Sequence, residues 1–176
     1  MILETVKLQE EGSLPDAHVV FYILDTPGEK LWIQKRPFVI LCPGGGYERT
    51  SFREGEPIAM YFLGKGYHVA ILRYSTAPAV FPAALLELGR TMALIHENGE
   101  KWKADTDQIF VQGCSAGGHL AGTPGDHVAG AVSCAEAPCE GRGFKACRTS
   151  ALLSRHLLQG GSGSRGKFPR AAGRPV

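Results

Sequence analysis

Residues Gly113–Gly118 have the sequence Gly-Cys-Ser-Ala-Gly-Gly and directly follow the apolar run Ile109–Val111. A strand that ends in Gly-x-Ser-x-Gly and leads into a helix of small residues is typical of a nucleophile elbow. The serine of such an elbow lies on a sharp turn, and its neighbours are small because the strand and helix backbones pass close together. The pattern predicts that Ser115 is a catalytic nucleophile. The alternative is an ordinary serine in a glycine-rich turn.

A second glycine-rich segment, Gly44-Gly45-Gly46, follows the apolar run Phe38–Leu41. Its N–H groups are expected at the carboxyl end of a buried strand, where open α/β sheets bind ligands. We expect these three N–H groups, with that of Ala116, to form an oxyanion hole. The alternatives are a simple turn and a phosphate-binding loop. No Gly-Lys-Ser/Thr follows, and the spacing differs from the dinucleotide-binding Gly-x-Gly-x-x-Gly pattern.

Short apolar runs alternate along the chain with segments of helical periodicity. The predicted strands are His18–Leu24, Phe38–Cys42, Val69–Tyr74 and Ile109–Gln112, and the predicted helices are Glu56–Leu63 and Pro82–Asn98. Runs that are apolar throughout are typical of strands buried on both faces of a parallel sheet. The alternation therefore predicts an α/β fold with a mostly parallel sheet and flanking helices.

Composition narrows the class of protein further. The chain has 176 residues, with 19 Lys and Arg against 17 Asp and Glu, so a net charge of +2 gives no indication of a nucleic-acid partner. No apolar run is long enough to span a membrane, and the first residues lack the pattern of a signal peptide, so we expect a cytoplasmic protein. The five cysteines have no metal-binding spacing and are expected as free thiols, with no metal and no cofactor.

Both glycine motifs and several other segments resemble one group of enzymes. The matching segments are Pro43–Tyr47, Arg53–Ala59, Gly66–Tyr67, Leu72–Ser75, Phe81–Pro82, Trp102 and Gly113–Ala121. They resemble α/β-hydrolases of the acetyl-esterase and acetyl-xylan-esterase group, relatives of feruloyl-esterase-like hydrolases and hormone-sensitive lipase. The resemblance covers roughly residues 1–121 and implies a truncated α/β-hydrolase fold with a nucleophile elbow.

The resemblance also implies a reaction and a substrate class. It implies ester hydrolysis through an acyl-enzyme on Ser115, with Tyr47 shaping the acyl pocket. The substrate would be a small-molecule ester or an acetylated carbohydrate, and the oligomeric state stays open. His119 is interpreted as a structural neighbour of the nucleophile rather than its base. Glu54 and Glu56 are interpreted as charges at a helix N-terminus.

A serine nucleophile needs a base, and the base needs an orienting acid. After Ser115 the acids are Asp126, Glu136 and Glu140, and the histidines are His119, His127 and His156. Asp126 and His127 are adjacent, so they cannot occupy two separate loops. In the resembling family the acid and base come from later strands, which this chain does not show. A catalytically inactive fragment is therefore the alternative to an active esterase.

The composition changes abruptly after residue 121. Residues 122–176 carry eight Lys and Arg against three acids, whereas residues 1–121 carry more acids than bases. We hypothesise that residues 122–176 are a poorly ordered tail produced by a reading-frame shift. Read one base forward, the codons of residues 126–135, 152–158 and 166–173 can encode TMWQEPFLAQ, CYPVISS and GSFHELLG. These peptides resemble the sequence that the same esterases carry after the elbow, in the same order.

The frame-shift hypothesis predicts the coding DNA directly. We expect the DNA for residues 126–173, read one base forward, to encode these three peptides in this order. Sequencing the gene tests the hypothesis, and codons for residues 152–158 that are incompatible with CYPVISS would refute it.

Overall fold

A computed structural model describes residues 1–25 and 35–127, with side chains through residue 123. The described strands are β1 (Ile2–Lys7), β2 (His18–Ile23), β3 (Arg36–Cys42), β4 (His68–Arg73) and β5 (Ala104–Gly113). The described helices are α1 (Glu56–Gly64), α2 (Ala83–Glu97), α3 (Gly99–Trp102) and α4 (Ala116–His127). The six elements predicted from sequence are all present. Five of them begin and end within a few residues of the predicted bounds, whereas β5 begins five residues before its predicted start at Ile109.

The described strands form one sheet in the order β1-β2-β4-β3-β5. β3 lies parallel to both β4 and β5, whereas β2 pairs antiparallel with β1 on one side and with β4 on the other. The α/β class is confirmed, and the expected parallel pairing holds for β3, β4 and β5, of which β3 and β5 lead into the glycine motifs. The sheet as a whole is mixed, because β1 and β2 form an antiparallel extension on one side. β1 is an exposed edge strand without a buried apolar face, and sequence patterning did not predict it.

The side chains of β3 alternate between two apolar layers. Phe38, Ile40 and Cys42 point into the layer that α2 covers, and Val39 and Leu41 point into the layer under α1. Both layers are buried, which is why the strand is apolar at consecutive positions rather than at every second one.

The positions of the helices follow from the strand order. β4 lies on one side of β3 and β5 on the other, so the two crossover connections run in opposite directions across the sheet. Right-handed crossovers then place α1 and α2 on opposite faces, as their separate core layers show. The carboxyl ends of β3, β4 and β5 consequently meet at one edge, at the point where the strand order reverses. Ligands bind at such a point in open α/β sheets.

Helix α4 continues past residue 121, where the recognisable sequence was expected to end. Its backbone is described through His127. Residues 128–176 lie outside the described residues, so the expected frame-shifted tail stays a prediction. No helix in the described part of the chain has the length and apolarity needed to cross a membrane.

A buried carboxylate fixes the carboxyl end of β4. Glu87 of α2 has no solvent exposure and accepts hydrogen bonds from the Ser75 N–H group (2.7 Å) and the Ser13 hydroxyl (2.6 Å). The Ser75 hydroxyl also donates to Glu87 and accepts the Leu14 N–H group (2.8 Å). A buried carboxylate is tolerated because several donors surround it. Glu87 thereby links α2, the β1–β2 connection and the loop that follows β4.

Glu87→Ala should strongly reduce stability, because it leaves buried N–H and O–H donors without an acceptor. We expect the free energy of unfolding to fall by about 3 kcal/mol, measured by urea denaturation with far-UV circular dichroism. Glu97→Ala is the control on the same helix, since Glu97 forms an exposed ion pair with Arg90. This control should lose less than about 1 kcal/mol. Equal effects of the two substitutions would contradict the assigned role of Glu87.

Candidate active site

Ser115 occupies the sharp turn between β5 and α4. Its backbone φ is 51°, in the left-handed region that side chains other than glycine rarely adopt. β5 ends at Gly113 and α4 begins at Ala116, so the change from strand to helix is completed within two residues. The turn leaves Ser115 exposed at the carboxyl edge of the sheet. The structure therefore has the strained strand-to-helix turn that the glycine pattern predicts.

Two glycines of this turn are in positions where no larger residue fits. A Cβ atom on Gly117 would overlap the Cys42 carbonyl group at the end of β3. A Cβ atom on Gly113 would overlap the backbone of Gly117. The first turn of α4 is therefore in backbone contact with both β5 and β3. This contact sets the position of Ser115 relative to the loop that leaves β3.

The glycine-rich loop after β3 passes directly beside Ser115. A Cβ atom on Gly44 would lie 3.1 Å from the Ser115 Cβ atom and 2.6 Å from the Cys114 carbonyl oxygen. Gly44 is buried, Gly45 is partly exposed and Gly46 is exposed. The two motifs, which are about 70 residues apart in sequence, thus form one site.

Hydrogen bonds within the loop orient its N–H groups. The Gly44 carbonyl accepts the Ser51 N–H group (2.8 Å), and the Gly45 carbonyl accepts the N–H groups of Glu48 (3.1 Å) and Arg49 (3.3 Å). The N–H group of a planar trans peptide points away from its C=O group. The N–H groups of Gly45 and Gly46 are therefore directed away from residues 48–51.

Three N–H groups of the site have no acceptor among the described residues. They belong to Gly45, Gly46 and Ala116. The Gly44 N–H group differs, because it donates to the Glu54 carboxylate at 2.7 Å. The expectation that Gly44 supplies an oxyanion donor stays a prediction, because in this structure its N–H group is occupied by Glu54. Gly44 also leaves space beside Ser115.

Tyr47 is held in place on several sides. Its backbone φ is 61°, its carbonyl accepts the Ala77 N–H group (2.7 Å), and its ring packs edge-on against Tyr74 (5.8 Å between centroids). The Tyr47 hydroxyl lies 2.9 Å from His119 Nδ1, and partial burial raises the pKa of this hydroxyl. His119 thus contacts the loop after β3. The role of Tyr47 in an acyl pocket stays a prediction.

The last residues of β4 support the same loop. Tyr74 donates its hydroxyl to the Pro43 carbonyl (2.7 Å), and Arg73 donates to the Ser51 carbonyl (3.0 Å) and lies over the ring of Phe52 (4.7 Å). Burial raises the Tyr74 pKa and lowers the Arg73 pKa, although nearby Glu56 opposes the change at Arg73. These contacts attach the loop after β3 to the end of β4.

The cysteines next to the site are thiols. Cys42 is fully buried, and burial raises its pKa to about 12, with a smaller contribution from nearby Cys114. Cys42 is therefore uncharged near neutral pH and packs as a small apolar side chain. Among the described residues there is no cluster of three or more His, Cys, Asp or Glu side chains able to hold a metal ion.

No described side chain forms a hydrogen bond with the Ser115 hydroxyl. His119 is one helical turn further along α4, and its backbone N–H group donates to the Ser115 carbonyl (3.0 Å). Its imidazole, however, is directed to Tyr47. The residues described with side chains, 1–25 and 35–123, thus place Ser115 beside free backbone N–H groups, but none of these side chains is a base in contact with the Ser115 hydroxyl.

The fold and this geometry define the class. A serine at a left-handed strand-to-helix turn, beside a glycine-rich loop at the reversal point of the sheet, is the arrangement of an α/β-hydrolase. Residues 28–131, more than half of the chain, match the BD-FAE family. The chain therefore belongs to this family. The match also extends ten residues beyond the boundary that the sequence resemblance set at residue 121.

Solved and curated relatives agree with this class. An α/β hydrolase, MGS-M1, from a Medee basin deep-sea metagenome has a TM-score of 0.66 and 36% identity over 70% of this chain and 50% of its own. An acetyl ester-xyloside bifunctional hydrolase from Caldicellulosiruptor lactoaceticus has a TM-score of 0.58 and 36% identity, covering 64% of this chain and 39% of its own. An endo-1,4-beta-xylanase B from Butyrivibrio fibrisolvens is 31% identical over 53% of this chain and 15% of its own. The chain thus spans half or less of the length of these relatives.

Gly117→Ala should disrupt the elbow, because the added Cβ atom would overlap the Cys42 carbonyl. We expect a loss of about 3 kcal/mol or more in the free energy of unfolding, measured by urea denaturation. Gly89→Ala is the matched control, since Gly89 is helical and has open space at its Cβ position. It should raise stability by roughly 0.5–1 kcal/mol. A well-tolerated Gly117→Ala variant would show that α4 does not pack against β3 as described.

Proposed function

We propose that the chain is a carboxylic-ester hydrolase of the acetyl-esterase type that acts through an acyl-enzyme on Ser115. The observation that carries the proposal is the position of Ser115 at a strained, exposed turn beside Gly44. The unpaired N–H groups of Gly45, Gly46 and Ala116 support it, because an ester carbonyl oxygen needs such donors when it becomes an oxyanion.

The proposed reaction has two stages. In the first, the Ser115 Oγ atom attacks the ester carbonyl carbon and gives its proton to a base, and the oxyanion accepts hydrogen bonds from the three free N–H groups. The tetrahedral intermediate then expels the alcohol, which takes up a proton, and leaves an acyl group on Ser115. In the second stage, water attacks the acyl group, releases the carboxylic acid and restores the serine.

The proposed substrates are small-molecule acetyl esters and acetylated carbohydrates. The names of the relatives from Caldicellulosiruptor lactoaceticus and Butyrivibrio fibrisolvens, which refer to acetyl ester and xylan chemistry, favour a carbohydrate as the alcohol part. We further propose that Tyr47 forms one wall of the acyl pocket. The fixed position of its ring on the loop that passes beside Ser115 supports this role.

A second candidate is a catalytically inactive member of the family that at most binds an ester or carbohydrate. The missing hydrogen-bond partner of the Ser115 hydroxyl among the described side chains favours this candidate. Without a base, a serine hydroxyl is a weak nucleophile at neutral pH.

Hydrolysis of p-nitrophenyl acetate by the purified chain distinguishes the two candidates. For an active esterase we expect turnover that Ser115→Ala lowers by roughly 10³-fold or more, because the nucleophile is lost. Acetate release from an acetylated xylooligosaccharide, measured with the same two proteins, tests the carbohydrate substrate. A rate that is equal in both proteins would refute the esterase proposal and favour the inactive member.

A further inference from the structure

Glu54 makes a contact that its position in the sequence does not explain. It lies two residues before α1 and is expected there as a charge at the helix N-terminus. Its carboxylate instead accepts the Gly44 N–H group at 2.7 Å, ten residues back along the chain. The side chain is partly buried. Glu54 is therefore directed towards the glycine-rich loop, and no side chain caps the start of α1 by a hydrogen bond.

The Glu54 carboxylate and Ser115 both lie beside the same glycine. The position of a Cβ atom on Gly44 is 3.0 Å from Glu54 Oε2 and 3.1 Å from the Ser115 Cβ atom. Because both atoms are so close to one point, Glu54 is a near neighbour of Ser115, although it is not hydrogen-bonded to the serine. Tyr74 also lies near this carboxylate. Burial is the main cause of the raised pKa of Tyr74, and the negative charge of Glu54 adds to it.

Glu54 and Tyr74 together hold a single peptide group. The Pro43 C=O group accepts the Tyr74 hydroxyl, and the N–H group of the same peptide donates to Glu54. With partners at both ends, the plane of this peptide cannot rotate freely. The next carbonyl, that of Gly44, is held by the Ser51 N–H group, which directs the Gly45 N–H group to the opposite side. The orientation of the free amides thus depends on a peptide that Glu54 fixes.

We propose that Glu54 is a positioning residue that holds the Gly45 and Gly46 N–H groups in the orientation that receives an oxyanion. The inference rests on the proposed ester-hydrolase function and adds a residue to its site. The role requires a hydrogen-bond acceptor rather than a negative charge, since a negative charge beside a developing oxyanion would oppose its formation. A glutamine at position 54 keeps a side-chain oxygen, and it should therefore fulfil the same role as the glutamate.

Two measurements on the full chain test this role. The first is amide hydrogen exchange at Gly44, followed by NMR. We expect exchange to be about tenfold faster in Glu54→Ala than in the wild type and close to the wild type in Glu54→Gln. The second is the rate at which a fluorophosphonate ester labels Ser115. In this reaction the serine hydroxyl loses its proton to water or a base, its oxygen bonds to phosphorus, and fluoride leaves. We expect Glu54→Ala to lower this rate by about 10–10²-fold, because misaligned donors stabilise the transition state poorly.

Glu54→Gln should label Ser115 within about threefold of the wild type, since one retained acceptor satisfies the Gly44 N–H group. Glu48→Ala is the matched charge control, because it removes an exposed carboxylate from the same loop and keeps the backbone N–H group that donates to the Gly45 carbonyl. It should leave both measurements unchanged. Urea denaturation of Glu54→Ala checks that the variant is folded.

The possible results separate this inference from the function on which it rests. Faster Gly44 exchange together with slower labelling in Glu54→Ala, both restored in Glu54→Gln, supports the role of Glu54. Unchanged exchange in folded Glu54→Ala overturns it, as does unchanged labelling. If the wild type is not labelled at Ser115 at all, the proposed ester hydrolysis fails, and Gly44 exchange alone decides whether Glu54 holds the loop.

Discussion

The close approach of α4 to the end of β3 is the constraint on which the rest of the site depends. Gly117 lies against the Cys42 carbonyl so tightly that no side chain fits between them. This contact brings the first turn of α4 beside the loop that leaves β3, and with it Ser115 beside Gly44. Residues about 70 positions apart thereby become one site. The left-handed φ of Ser115 is the local cost of making the turn within two residues, and cooperative packing of the surrounding strands maintains it.

The sequence predicts the centre of the fold better than its edges. β3 and β4 were predictable because strands buried on both faces leave continuous apolar runs, and α2 because Leu88, Met92 and Ile95 repeat on one face. β1 was missed, because an exposed edge strand acquires its structure from pairing with β2 and has no apolar pattern of its own. The first half of β5 is polar at Asp105, Thr106 and Asp107, so its apolar run indicated only the second half.

The candidate site divides in the same way. Ser115 and the glycine-rich loop were predictable, because glycine at close backbone contacts leaves a mark in the sequence. Which of the loop amides is free to bind a ligand was not predictable, since this depends on the acceptor that each N–H group meets in the folded chain. Gly44 looks equivalent to Gly45 and Gly46 in the sequence, yet its amide is bonded to Glu54. Glu54 itself was assigned to α1, because local sequence places it near the helix start and cannot reveal a loop ten residues away.

The geometry of the site and the lack of a base beside Ser115 among the described side chains have different energetic consequences. Free amides at an oxyanion site contribute without any proton transfer, and losing one such donor costs roughly 10²–10³ in rate in serine hydrolases. Hydrolases without a complete set of triad residues still exceed the uncatalysed reaction by roughly 10³–10⁴, through these donors and through binding. An active esterase and an inactive family member therefore differ in degree, according to how well Ser115 is activated. Glu54, Tyr74 and the loop carbonyls hold the peptides whose amides we propose as oxyanion donors. This proposed part of the chemistry therefore does not depend on where a base is found.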